Sequence, residues 1–589
     1  MSPILDPRSG DFVDDASSTK SRKLTAIAGS ILAEISLPKL IAAWLILIAV
    51  PGVILGLAPL VASAWLTRFS DRLAAISGVG SLIAIAIVLV IAWYGIRPVF
   101  RFVERSFWAL HALAVQPVYA LFRESLSQFA EGYLAPDATP QARSRRRARM
   151  AGVAGILASA VAIFFVLLVW PATIWSVSFD VFASPGRLVV PALANAITIV
   201  GLYLAFASLA WGLNDALMDQ PEKLDAFDLS ESASGRWRVA HLSDIHVVGE
   251  RYGFRIESGR IGPRGNERLR DLLRRLDGIH KERPLDFVLI TGDMTDAGTS
   301  GEWAEFLDQA EKFPDLFARM LILPGNHDIN IAERTNPAKI ELPTSSAKAL
   351  RQMRALSAME YVQGKRAQVC DKVEGRLSGT LSEALEPFRS SIETFADQSG
   401  FTNALPLWRL WARVFPMVVP PADPEGLGVI VLNTNAQSNF SFTNALGLVP
   451  AEDVVASCQI MNRFPRAMWI VAIHHHAVEY PLPVKEFSER IGTALINGSW
   501  FIRSLKPFAR RIVIMHGHRH IDWIGHVGEV KIVSAPSPVM NADDSRATYF
   551  YIHTLASDRE SRVQILPPER VDLPGRVAAD REIGPVSGE

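Results

Sequence analysis

Five short apolar runs in the second half of the chain each end in residues able to hold a metal ion. Arg238-Val-Ala-His-Leu-Ser leads to Asp244 and His246, Asp286-Phe-Val-Leu-Ile-Thr-Gly to Asp293 and Asp296, and Met320-Leu-Ile-Leu-Pro-Gly to Asn326, His327 and Asp328. Met468–Ile473 ends in His474, His475 and His476, and Arg511–Met515 in His516, His518 and His520. Side chains two apart on a strand share a face. Asp244 and His246 can therefore enter one site beyond the strand's carboxyl end, where open α/β sheets place their ligands. One Asp-x-His carries little weight; five such endings form a constellation. Twelve of the thirteen histidines lie in this half, most of them at those run ends. Carboxylate, imidazole and amide oxygens together suit Mn, Fe, Zn or Co rather than a thiolate-seeking ion.

The stretches between these runs must position them. Glu267–His280 and Trp303–Phe313 have helical spacing, so the order reads β-α-β-α-β and predicts a layered α/β core. Gly292 lets the backbone turn sharply before Asp293. The segment 331–427 is too long for a plain loop and reads as a helical insertion (Ser346–Tyr361, Leu381–Phe395, Leu405–Phe415), either a lid over the site or helices packed on the core. Leu427–Leu432 is a further strand ending in Asn433 and Asn435. A Gly-rich loop with Arg251, Arg255, Arg260 and Arg264 either meets an anionic substrate or is merely solvated. His241 and His516 read as core hydrogen-bonding groups, His475 as packing, and Asp328 as a turn cap.

The first half has a different composition. Of 589 residues, Lys+Arg and Asp+Glu number sixty each, so net charge offers no argument for a nucleic-acid partner. Two cysteines, Cys370 and Cys458, exclude a disulfide framework and fit a reducing compartment. Residues 1–38 are polar and lack the pattern of a cleaved signal. Four uncharged runs follow, Leu40–Leu66, Leu73–Ile96, Met150–Phe179 and Leu188–Asn214. Each exceeds the ~20 residues a helix needs to cross a bilayer, with Trp44, Trp65, Trp93, Trp170 and Trp175 at or near run ends and Pro51, Pro59 and Pro171 as expected kinks. The short links holding Arg68, Asp71 and Arg72, and Asp180 and Arg187, contrast with segment 97–149 and its nine arginines. Basic loops stay cytoplasmic, which places both termini inside despite the acidic Asp215, Asp219, Glu222, Asp225 and Asp228. Within the basic segment, residues 99–135 suggest an amphipathic helix, in the headgroup region or packed on the bundle. The expected organisation is a membrane domain at 39–214, a linker at 215–235, a catalytic domain at 236–566 and a disordered tail at 567–589.

The ordered set Asp-x-His, Gly-Asp-x-x-Asp, Gly-Asn-His-Asp, strand-end His and Gly-His-x-His resembles the calcineurin-like metallophosphoesterases over roughly residues 236 to 555. The resemblance implies a two-sheet β-sandwich flanked by helices, with two metal ions between the sheet edges. By position, it assigns Asp244, His246 and His520 to one metal and Asn326, His474 and His518 to the other, with Asp293 bridging. Such a pair, ~3.5–4 Å apart, activates a shared water and clamps phosphoryl oxygens. His327 then serves the leaving oxygen as proton donor, and Asp296 holds its other imidazole proton.

These features together predict a membrane-anchored phosphoesterase, most similar to the cyclic-nucleotide phosphodiesterase branch, with the lipid bilayer as partner. The Ser/Thr phosphatase branch fits poorly, since it has Arg where this chain has Ala297. The alternatives are hydrolysis of a lipid-linked phosphate or pyrophosphate, although the soluble lipid A branch has Arg at the place of His327, and a non-catalytic metal-binding sensor. Helices that transport a solute usually carry intramembrane charges; these runs carry none.

Overall fold

The structure is a computed structural model that describes residues 50–75, 86, 90, 116–133, 138–224, 226–228, 235–249, 266–330, 341, 345–398, 401–436, 444–482, 495–539, 547–558, 560 and 562–574. The chain divides between Met218 and Asp219 into two compact units.

The N-terminal unit contains α1 (Val50–Ala75), α2 (Gln116–Glu131), α3 (Pro140–Val169) and α4 (Val189–Ala216). Three segments, Gly52–Phe69, Pro140–Ala172 and Pro185–Ala216, are long and apolar enough to cross a membrane. The expected Leu73–Ile96 helix lies largely outside the described residues. Two boundaries differ from expectation. Helix α1 continues through Arg68, Asp71 and Arg72 to Ala75, because arginine and leucine are good helix formers and no Gly or Pro interrupts Leu66–Ala75. Helix α3 ends at Val169, and Pro171 sits in a short 3-10 turn rather than in a kink, as expected of a residue that cannot supply the next helical donor.

Small residues let α3 and α4 meet closely: a Cβ on Gly155 would lie 2.6 Å from the Ser208 carbonyl oxygen and 2.9 Å from the Gly212 Cα. Phe164, Phe165, Leu167 and Leu168 of α3 are all more than half exposed, an apolar band larger than isolated surface hydrophobics make. Helix α2 packs on this bundle. Tyr119 Oη donates to Asp215 Oδ2 at 2.8 Å, Arg123 reaches the same oxygen at 3.0 Å, and Arg147 pairs with Glu131 at 2.5 Å.

Among the described residues the C-terminal unit holds fifteen strands: β1 (Pro221–Lys223), β2 (Gly235–Leu242), β3 (Phe287–Ile290), β4 (Met320–Ile322), β5 (Gln368–Asp371), β6 (Arg376–Thr380), β7 (Met417–Val419), β8 (Leu427–Val431), β9 (Met468–Ala472), β10 (Ile512–His516), β11 (Trp523–Val527), β12 (Val530–Ser534), β13 (Thr548–Ser557), β14 (Val563–Ile565) and β15 (Glu569–Leu573). Nine form one sheet, in the order β1-β11-β12-β10-β9-β8-β7-β5-β6. Six form the other, in the order β14-β13-β2-β3-β4, with β15 also on β13. Strands β2, β3 and β4 are mutually parallel, as are β8, β9, β10 and β12. All five endings that carry the candidate ligands therefore leave the same ends of parallel strands.

One apolar core runs from Val239, Leu242 and Ile290 in the smaller sheet to Val431, Ile470 and Met515 in the larger. Helix α5 (Glu267–Glu282) buries Leu269, Leu272, Leu273, Leu276 and Ile279, the stripe of an amphipathic helix. Helix α6 (Ser300–Ala310) starts at a Thr299/Glu302 capping box. Three further boundaries are corrected. The insertion 331–427 is not wholly helical: besides α7 (Ser346–Gln363) and the helices Arg389–Gln398 and Phe401–Arg413, it supplies β5, β6 and β7, which extend the larger sheet. Leu407, Leu410 and Trp411 are buried in the core, so that helix packs inward and is no lid. The expected linker supplies β1, antiparallel to β11. The expected disordered tail supplies β15, whose Val571 and Leu573 are buried.

Candidate metal centre

Strands β2 and β3 end side by side, and their loops stay zipped: Asp244 N–H donates to the Gly292 carbonyl at 3.0 Å and His246 N–H to the Asp293 carbonyl at 2.9 Å. This brings Asp244, His246 and Asp293 together. The other sheet is stitched in by the His518 N–H, which donates to Asp244 Oδ2 at 2.9 Å. Gly325 is needed for the closure, since a Cβ there would lie 2.1 Å from Asp293 Oδ1. At Gly292, φ is +99° and an added Cβ would strike the His474 ring at 2.3 Å.

The side chains gather as three overlapping groups: Asp244, His246 and His520; Asp293, His474 and His518; and His246, Asp293 and His327. In the first, His520 Nε2 lies 3.3 Å from Asp244 Oδ1. In the second, His474 Nδ1 faces the Thr291 carbonyl at 2.8 Å, which can only accept, so the proton sits there. Its Nε2 then offers a lone pair. That lone pair faces Asn326 Oδ1 at 3.0 Å, His518 Nδ1 at 3.2 Å and Asp293 Oδ2 at 3.3 Å. A carboxylate, an amide and an imidazole converging on that lone pair are the donor set of a cation site. The residues present thus fit a metal pair held by Asp244, His246, His520, Asn326, His474 and His518, with Asp293 between the two groups.

The electrostatics point the same way. Burial opposes charge on Asp293, but His474, His327 and His246 hold its carboxyl well below the usual range. Burial also opposes charge on His474, yet Asp293 and Asp244 raise it to about 9: a proton takes the cation's place. His518 is kept neutral by burial and by the neighbouring His475 and His474, as a ligand imidazole must be.

The two expected catalytic residues are arranged differently from the expectation. His327 Nδ1 donates to the Asp296 backbone carbonyl at 2.7 Å, while the Asp296 carboxylate is 3.7 Å away. That carboxylate instead faces His246 Nδ1 at 3.2 Å, a carboxylate–histidine pair that aims Nε2 at the metal position. The reason is geometric: His246 and His327 meet edge to face at 4.6 Å, and the loop turns its carbonyl to the latter. His327 N–H also donates to Asp293 Oδ1 at 2.8 Å.

The surrounding residues are supports. His475 takes Thr434 at 2.8 Å and packs its ring on His518; His476 faces Glu479 at 3.0 Å. His241 meets Thr291 and His516 meets Tyr480, both buried. Asp328 does more than cap a turn: its buried carboxyl accepts from Thr295 N–H and Oγ1 and from Gly325 N–H, joining the loops after β3 and β4. Burial and the charge of Asp293 push it up to about 7. Asn435 Nδ2 donates to the Pro324 carbonyl beside this loop. The arginines at 251, 255, 260 and 264 lie outside the described residues.

Residues 238–412 match the family model of the calcineurin-like phosphoesterases. The chain carries a calcineurin-like phosphoesterase domain. The matched stretch includes Asp244, His246, Asp293, Asn326 and His327; His474, His518 and His520 lie beyond it and join through the fold. No curated protein matches the sequence. Among solved structures, a putative 5'-nucleotidase from Staphylococcus aureus, in complex with alpha-ketoglutarate, is 13% identical, over 58% of this chain and 54% of that one, with a TM-score of 0.28. The NAD nucleotidase of Haemophilus influenzae is 12% identical, over 58% and 56%, with a TM-score of 0.29. A hypothetical protein of Pyrococcus horikoshii is 10% identical, over 59% and 94%, with a TM-score of 0.24. The chain thus spans little more than half the length of the first two.

Proposed function

We propose that this protein is a membrane-anchored phosphoesterase dependent on two transition-metal ions (Mn, Fe, Zn or Co), that it hydrolyses phosphodiesters, and that its catalytic unit faces the cytoplasm. The observation that supports this best is the convergence of seven ligand side chains from two sheets beside one tethered imidazole. When bound, two such ions supply Lewis acidity, activating water and neutralising phosphoryl oxygens. The chain's own residues do the rest. Asp293 separates the two ligand groups, and Asp296 orients His246. His327 is anchored through Nδ1 on the Asp296 carbonyl, so its Nε2 can hold a proton for the leaving oxygen. The apolar spans support attachment to a bilayer, and the arginines before α3 support a cytoplasmic catalytic unit.

The test is metal content together with hydrolysis of bis-p-nitrophenyl phosphate and p-nitrophenyl phosphate, beside an Asp293→Ala control. Close to two metals per chain and metal-dependent diester cleavage, both lost in the control, are expected. Preference for the monoester would overturn the diester assignment. Bound metal without turnover on either ester would favour a lipid-linked phosphate substrate, and absence of bound metal would overturn the enzyme reading.

A further inference from the structure

Helix α7 belongs to the insertion, yet it reaches the loops that carry His327 and Asp296. Its C-terminal end is fixed on the edge strand β4: Gln363 Oε1 accepts from Ile322 N–H at 2.8 Å, and Arg366, in the 3-10 turn that follows, donates to the Met320 carbonyl at 2.6 Å. The middle of the helix carries two largely buried arginines. Arg354 Nη1 donates to the Gly298 carbonyl at 2.9 Å, two residues after Asp296. Arg351 Nε donates to the Ile329 carbonyl at 3.1 Å, two residues after His327. Arg351 is itself held by Glu341, whose two carboxylate oxygens both lie 2.6 Å from Nη2.

The loops so gripped are pressed together. A Cβ on Gly298 would lie 2.3 Å from the Asp328 carbonyl oxygen and 3.1 Å from Arg351 Cδ. From the other side, Glu302 of the α6 capping box accepts the Ala297 N–H at 2.9 Å. Burying an arginine is costly unless its charge and donors are satisfied. Two on one helix, spent on backbone carbonyls of two catalytic loops, are expensive as mere packing and well suited to fixing where those loops meet. What they fix is the 2.7 Å link from His327 Nδ1 to the Asp296 carbonyl.

We infer that Arg351 and Arg354, held by Glu341 and helix α7, are positioning residues that set the orientation of the His327 imidazole for proton donation. This rests on the proposed role of His327. A general acid matters most when the leaving group is poor and contributes about 10²–10⁴-fold; misaligning it costs part of that factor on such substrates alone.

The test uses the full-length protein in detergent, comparing Arg351→Met, Arg351→Lys, Glu341→Gln and His327→Ala with the parent. Three quantities are read: metals per chain, the ratio of rates on bis-p-nitrophenyl phosphate and diphenyl phosphate (whose phenolate is the poorer leaving group), and the rate of His327 carbethoxylation by diethylpyrocarbonate, mapped by mass spectrometry. The expected result for Arg351→Met is unchanged metal content, a loss on diphenyl phosphate about tenfold larger than on the activated diester, and faster His327 modification. Arg351→Lys should recover part of each. Glu341→Gln, which leaves the core intact, should show the same direction more weakly and decides the matter if Arg351→Met does not fold. Equal losses on both esters, or lost metal, would make the arginines purely structural and overturn the inference. If His327→Ala shows no leaving-group dependence, the proton-donor role falls and this inference with it. If His327→Ala shows it and no clamp variant does, the clamp alone is wrong.

Discussion

Asp244, His246, Asp293, His518 and His520 have φ between +47° and +72°, and no other non-glycine residue among those described has a positive φ. A left-handed backbone costs an L-residue roughly 1–2 kcal/mol, so five in one place need a compensating interaction. Each belongs to the proposed ligand set, and ligand–metal bonds are the natural compensation. This reverses an ordinary rule. At most sites alanine is more stable than glycine because glycine loses more backbone entropy. At His520, φ is +52°, and both substitutions remove the same imidazole. His520→Gly is therefore expected to be more stable than His520→Ala, by about 1 kcal/mol, in thermal unfolding of the chelated protein. The opposite order would remove the strain from the description. The ligand types and their i, i+2 spacing were legible in the sequence, but this backbone conformation was not: nothing in Asp-x-His announces a left-handed turn. Nor were Arg351 and Arg354 visible, since charges within a helix ordinarily mark its solvated face.

Elements follow a parallel division. Strands β2, β3, β4, β9 and β10 could be read in advance because each is an apolar run stopped by polar ligands. Strands β5 and β6 could not: Arg376, Gly379 and the tight Gly375 turn between helical stretches hide the alternation. Strand β15 was hidden by its composition, as Pro567, Pro568, Glu569 and Arg570 suggest disorder. The informative signal there was only two residues deep, Val571 and Leu573, both buried, alternating with the exposed Arg570 and Asp572. The strand pairs with β13 from Ile552↔Glu569 to Thr548↔Leu573, and Arg268 donates to the carbonyls of Leu573 and Pro574. Ending the chain at Leu566 should thus uncover part of β13 and two core side chains. At about 1.5–3 kcal/mol for each buried aliphatic, the loss is roughly 3–6 kcal/mol. A denaturant midpoint equal to that of the full chain would show that β15 contributes nothing.

For the whole molecule, the proposal to be tested is that the apolar spans cross a bilayer and leave the phosphoesterase domain on its cytoplasmic side. Helices α3 and α4 are antiparallel neighbours joined by Trp170–Leu188, so that link lies at the end opposite Arg143, Arg145, Arg146, Arg147 and Arg149. Asp215, at the arginine end of α4, neutralises Arg123, while Asp219 and Asp228 pair with Lys506 and Lys531. Basic residues within a turn or two of a span are retained on the cytoplasmic side. With Cys370 and Cys458 replaced by serine, Ser184→Cys in the link should react with a membrane-impermeant maleimide in intact cells. Val373→Cys, at a residue 78% exposed on the C-terminal unit, should react only after the membrane is opened. The reverse pattern would place the metal centre outside the cytoplasm and exclude cytoplasmic nucleotides as substrates, leaving extracytoplasmic or lipid-borne phosphate esters as the only chemistry within its reach.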